Sequence, residues 1–165
     1  MTQKDPIRPT DDDARNLARG LLRDATYGAL AVLDPRTGAP SVTRVAIGTT
    51  LHGMPVSLIS RLATHFSALE ADQRCSLLLG EPGPKGDPLT HPRMTLHCDA
   101  GFIHTGMPAH DSLRAHYLAT HPKSKLYIDF PDFSFVRFTV NGGLLNGGFG
   151  KAFQITSDDL RDALG

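Results

Sequence analysis

The stretch GMPVSLISRLATHFSALEADQRCSLLL, residues 53–79, decides how the chain is read. Residues 56–59 are a short apolar run with strand character. The run breaks into Ser60, Arg61, Thr64 and His65, where a helix is predicted to begin. Ala63, Phe66 and Leu69 recur at the three-residue interval of one helical face, and Ala71 with Asp72 closes the pattern. A second apolar run, 75–79, follows as another strand. A strand therefore leads through hydroxyls and cations into a helix N-terminus. Unpaired N–H groups and the positive end of the helix dipole favour an anion there, phosphate above all. The competing reading makes Ser60 and Thr64 plain caps and leaves Arg61 and His65 in solvent.

Upstream, residues 29–33 and 41–47 read as strands joined by the Pro- and Gly-containing connector 34–40, and 51–53 is a second tight turn. Three strands in succession without helices predict an antiparallel meander. Arg44 shares its predicted strand face with Val42 and Ala46. A guanidinium on an apolar face needs an anion or a set of acceptors, because leaving it desolvated costs several kcal/mol. The next strand of a meander ends at Ser60, so Arg44, Ser60, Thr64 and the helix N–H groups are expected to converge as a phosphate cradle.

Residues 1–10 read as a flexible N-terminal arm and 11–165 as one domain. In the first helix Ala14, Leu17, Ala18, Leu21, Leu22 and Ala25 form the apolar stripe after an aspartate cap, and Arg15, Arg19 and Arg23 are expected to face solvent. Segment 81–88 is a Pro/Gly turn. Residues 93–104 alternate, with Arg93, Thr95 and His97 on one face and Met94, Leu96 and Cys98 on the other, as a strand with one polar face requires. A helix over 108–121, strands over 134–140 and 144–155, and a last capped helix from Thr156 complete the pattern. The second of these strands is interrupted by Asn146-Gly-Gly-Phe-Gly150, a bulge, a close backbone approach to ligand or a barrel corner.

The 165 residues suffice for a real core, with about 70% of the unfolded surface buried. Lysine plus arginine equals aspartate plus glutamate at 17 each, so no net field draws nucleic acid or an anionic membrane. No apolar run reaches the roughly 20 residues of a membrane helix, and the N-terminus is too polar for a signal peptide. Cys75 and Cys98 have no Cys-x-x-Cys spacing and read as buried thiols of a reducing compartment, so a cytoplasmic protein is expected. The 8 histidines show no ligand spacing, and no nucleophile-elbow, phosphate-loop or dinucleotide motif is present.

Four segments in order then carry a resemblance: residues 21–31, Ser60 to His65 with 76–79, residues 93–96 and residues 147–152. Over roughly Ala14 to Ile155 the chain resembles the pyridoxamine-5′-phosphate-oxidase-like, FMN-binding split-barrel superfamily, and within it the haem-utilisation (HugZ-like) branch. The resemblance implies a mainly β fold, a six-stranded antiparallel split barrel with flanking helices. It implies a homodimer with the cofactor site at the subunit interface. Carried over by position, Arg44 matches the arginine on the FMN phosphate, and Thr64 and His65 match the cationic pair at the phosphate-binding helix. Ile59 and Ser60 match the strand end facing the flavin ring, and Arg93 matches a polar residue reaching it. No catalytic acid or base is assigned. No match to the oxidase's C-terminal substrate-phosphate segment is found in these residues, and a member without the extra C-terminal domain of larger haem-utilisation proteins is expected; the last histidine of the sequence is His121. The expected function is an FMN-binding oxidoreductase or flavin reductase acting on a small molecule. The alternatives are a haem-binding or haem-degrading protein and a non-catalytic split-barrel module.

Overall fold

The computed structural model describes residues 6–161. Helix α1 (Asp12–Asp24) starts where Asp11 accepts from the Ala14 N–H at 2.8 Å, and its stripe buries Ala14, Ala18 and Leu22. Six long strands follow the expected antiparallel order: β2 (Tyr27–Leu33), β3 (Pro40–Ala46), β5 (Pro55–Ser60), β6 (Arg74–Leu79), β7 (Arg93–Ile103) and β8 (Phe133–Asn146). Three short strands add to them: β1 (Ile7–Arg8), β4 (Gly48–Thr49) and β9 (Ala152–Ile155). Helices α2 (Thr64–Ala71), α3 (His110–Thr120) and α4 (Ser157–Leu160) flank the sheet, so the fold is mainly β with flanking helices.

The sheet runs β1-β9-β8-β7-β6-β2-β3, with β5 also pairing β8 and β4. All long-strand pairs are antiparallel; β1 runs parallel to β9. Beside β5, the Ser57 hydroxyl donates to the Ala46 carbonyl at 2.6 Å, bridging β5 to β3 and closing the barrel seam. Strand β5 is buried on both faces, which explains the unbroken apolar run at 56–59. Ile59 joins the main core with Phe66, Leu77, Leu96 and Phe138, while Val56 and Leu58 turn to a second core under α3 with Tyr117 and Phe135. Cys75 and Cys98 are buried free thiols. Burial, reinforced by Asp99 and Asp72, pushes the Cys75 thiol up to about 12 and keeps it protonated.

Several expectations change. Residues 1–5 of the predicted arm and residues 162–165, on which the end of the predicted last helix falls, lie outside the described residues. The rest of the arm is not loose: Ile7 and Arg8 pair with Ala152 and Phe153, and the Thr10 hydroxyl donates to the Gln154 carbonyl at 2.5 Å. Arg15 and Arg19 do not simply face solvent. Arg15 Nε meets Asp159 Oδ1 and Arg19 Nε the Asp159 carbonyl, both at 2.8 Å. The predicted strands 134–140 and 144–155 divide elsewhere. Strand β8 runs unbroken through Gly142 and Gly143, and residues 147–151 are the turn of a β8–β9 hairpin, closed by the Gly147 N–H to the Lys151 carbonyl at 2.7 Å. Among the described residues no helix is long and apolar enough to cross a membrane.

Asp159 ties both ends of the domain. It closes the Thr156 capping box and accepts from Arg15. Burial raises its pKa, but the hydrogen bonds from Thr156 and Arg15 outweigh this and hold it below the ordinary carboxylate value. Asp159→Ala should therefore destabilise the domain by about 2 kcal/mol, a cap plus a charge-assisted hydrogen bond, read in urea melts. The wild-type contribution is complete above the ordinary value of 3.8 and disappears as the pH falls through the depressed folded value. An unchanged midpoint for the variant at pH 7 would refute the tie.

Candidate functional site

Alternation along β2 turns Gly28, Leu30 and Val32 inward and leaves Tyr27, Ala29, Ala31 and Leu33 on the opposite face. Register extends that outer face across the sheet. One row runs Arg44, Ala29, Leu78, Thr95, Leu144; the next runs Val42, Ala31, Ser76, His97, Gly142. The alanines and the glycine make a low floor, and the face is open: Val42 is 67% exposed and Leu78 45%.

At one end Tyr27, Val42, Arg44, Leu78, Leu89 and Arg93, with Glu81 and His91 also in the lining, form a cleft of about 430 Å³. The Arg44 guanidinium lies 5.4 Å from the centroid of the Tyr27 ring, and Arg93 Nη1 donates to the Leu89 carbonyl at 3.1 Å. The loop carrying Leu89 is held by His91, whose Nδ1 accepts from the Gly83 N–H at 3.2 Å and whose Nε2–H donates to the Lys85 carbonyl at 2.7 Å. At the other end Ala31, Leu33, Pro40, Ser76, His97 and Asn141 border a broader cleft of about 600 Å³. There His97 Nδ1 is 3.2 Å from the Ser76 hydroxyl.

A separate cleft of about 380 Å³ lies between α2 and the β2–β3 hairpin, lined by Asp34, Arg36, Ser41, Thr64, His65 and Ser67. The N-cap of α2 is Ala63, which supplies no side-chain bond, so Thr64 is the first helical residue and not a cap. Ser60 is engaged elsewhere: its hydroxyl donates to Asp132 at 2.5 Å and accepts from the Leu62 N–H at 3.1 Å. Burial holds the His65 ring below the ordinary histidine value, hence neutral near pH 7. The Arg36 N–H and guanidinium hold Asp34 below the ordinary carboxylate value, so this cleft contains a fixed negative charge paired with its cation, Arg36.

The predicted site residues therefore fall into three groups. Arg44 and Arg93 share the outer-face cleft; Thr64 and His65 share the α2 cleft; Ile59 is core, with its strand end and Ser60 turned to Asp132. The expected convergence of Arg44 with the α2 start does not occur within one protomer. The reason is local. β3 ends the sheet path, only Val45 of its residues is buried, and the side carrying Val42 and Arg44 faces outward, so the guanidinium is not desolvated and needs no buried anion. Sequence reasoning missed Tyr27, Leu78 and Ser76 as partners on this face. The signal was the alternation of 27–33, which only acquires neighbours once the strand order is known.

The chain matches the family model described as CREG, beta-barrel, over residues 9–161. It is 36% identical over 121 residues to the chloroplastic heme oxygenase HOZ of Arabidopsis thaliana, a match covering 72% of this chain and 36% of that protein. The chain thus spans about a third of the length of this curated relative. A solved heme binding protein from Mycobacterium smegmatis is 30% identical with a TM-score of 0.79, over 93% of this chain and 61% of that one. A Clostridium acetobutylicum protein related to general stress protein 26, of the pyridoxinephosphate oxidase family, is 14% identical with a TM-score of 0.65, over 92% of this chain and 99% of that one; it shares the fold.

Because its cleft is partly dry, His65 should titrate below the ordinary value of 6.5 in imidazole-proton NMR. A midpoint at or above that value would mean that the ring is open to water and the cleft is not formed in solution.

Proposed function

The chain belongs to the CREG β-barrel family, and from that premise we propose that it is a haem-binding protein whose ligand lies on the outer face of the sheet. The observation that carries this reading is the composition of the Arg44–Arg93 cleft. Haem is a flat apolar ring with two carboxylates. Tyr27, Val42, Leu78 and Leu89 offer the apolar contact, and two arginines offer charge-assisted, bidentate partners for the carboxylates. The similarity to a heme binding protein and to a heme oxygenase supports the same reading. Bound haem would supply an iron centre for oxygen and electron chemistry; this chain's residues bind the ring, orient it and keep water from one of its faces.

The flavin reading, an FMN-dependent oxidoreductase or flavin reductase, has less support. It needs Arg44 and the α2 start on one phosphoryl group, and a single protomer holds them in separate clefts. We also propose a homodimer. A second copy covering the open face would bury Tyr27, Val42 and Leu78 and place the cofactor site at the subunit interface. The free buried thiols suit a reducing compartment, and a cytoplasmic location is part of the proposal.

Titration of the purified protein with haemin should shift the Soret band with saturation in the micromolar range, and FMN added in parallel should bind more weakly. Arg44→Ala and Arg93→Ala should each weaken haem binding by about tenfold, the loss of one charge-assisted contact of roughly 1.4 kcal/mol. Light scattering should give twice the chain mass, and bilin formation with a reductant would extend binding to degradation. No Soret shift, together with tight FMN uptake, would overturn the reading in favour of flavin.

A further inference from the structure

The haem reading leaves the iron without an assigned protein donor, and the histidines differ sharply in what their rings already do. His91 has both nitrogens engaged within its loop, His110 contacts Asp111 and Thr105, and His121 contacts Thr120 and the Thr26 carbonyl. His104 is half-buried, bonded to Ser134 at 2.8 Å and stacked on Phe102. His52 borders a cleft next to α3 and His116 lies on α3, while His65 is in the α2 cleft beside Asp34. His91 also lines the Arg44–Arg93 cleft, with both nitrogens taken; among the described histidines only His97 projects from a strand of the open face that carries Arg44 and Arg93.

Three features of its setting point to a ligand. Its Nδ1 is 3.2 Å from the Ser76 hydroxyl, while Nε2 has no partner among the described residues. With Nδ1–H donating to Ser76 Oγ, the Nε2 lone pair is bare and faces outward, the tautomer and orientation that a metal-bound imidazole requires. The strand beside it is also irregular. Register between β7 and β8 shifts between His97 and Cys98, leaving Asn141 as the extra residue, and bulges of this kind re-aim side chains. Next to the bulge, Gly142 is the β8 residue opposite His97. Gly143 lets β8 press against β7: a Cβ there would sit 2.2 Å from the Thr95 carbonyl. Finally, His97 and Arg93 are four residues apart on one strand face, about 13 Å, a span that an arginine arm and a carboxylate at the ring margin bridge.

We infer that His97 is the protein ligand to haem iron, through Nε2, and that the Ser76 hydroxyl is a positioning group that sets its tautomer. This rests on the haem reading. His97 would then hold the iron, and Arg44 and Arg93 would hold the carboxylates.

The test titrates haemin into the full chain as wild type, His97→Ala, Ser76→Ala and His116→Ala, with circular dichroism to verify folding. The wild-type Soret band should be lost or blue-shifted in His97→Ala, with at least tenfold weaker binding, and added imidazole should restore it. Ser76→Ala should keep the band but weaken binding about tenfold, and His116→Ala should match wild type. A wild-type band and affinity in His97→Ala would overturn the assignment while leaving haem binding intact, whichever other histidine, His65 included, then holds the iron. Absence of any wild-type Soret shift would instead defeat the haem reading, and this inference with it.

Discussion

The backbone pairing of β8 is the constraint on which the remaining architecture depends. Its 14 residues extend about 46 Å and serve three partners: residues 133–137 pair with β5, residues 135–146 with β7, and residues 143–146 with β9. One strand with so many obligations cannot bend freely, because each backbone group must find its partner. Gly142, Gly143 and the extra residue at Asn141 absorb the mismatch. They bring β8 against β7 at a separation no side chain at Gly143 would permit, and they put the irregularity beside His97. The same strand divides the interior into two cores, one under α1 and α2 and one under α3.

From this division follows the openness of the outer face. The inner sides of β2, β6 and β7 are covered by the main core, and the short N- and C-terminal strands and the α1–α4 tie close one border of the sheet. Among the described residues nothing covers Tyr27, Val42 and Leu78. An apolar floor bordered by two arginines and a histidine suits a ligand that is itself apolar in the middle and anionic at its margin. A small phosphate ester gains little from such a floor. The α2 cleft differs in kind: smaller, with Asp34 fixed inside it and a neutral His65, it offers a weak field for a phosphate even though a helix begins there.

Much of this was legible in the chain itself. The apolar run at 56–59, the start of α2, the alternation of 93–104 and the buried cysteines follow from periodicity and composition, because local backbone geometry decides which side chains share a face. The division of 134–155 was not legible, since a glycine pair reads equally as a turn or as a bulge until its partner strand is known. Arg15 and Arg19 looked solvated because their partner, Asp159, is 144 and 140 positions away.

The side of the barrel on which Arg44 stands is the clearest case. Alternation by itself determined that Arg44 accompanies Val42 on one face of its strand, and the resemblance to split barrels determined the family. Only the tertiary structure decided that this face looks outward, that Arg93 and His97 join it, and that Thr64 and His65 do not. Period-two patterning distinguishes two faces but carries no sign. The sign comes from which face finds a core, and that depends on strand order and on contacts far apart in the chain.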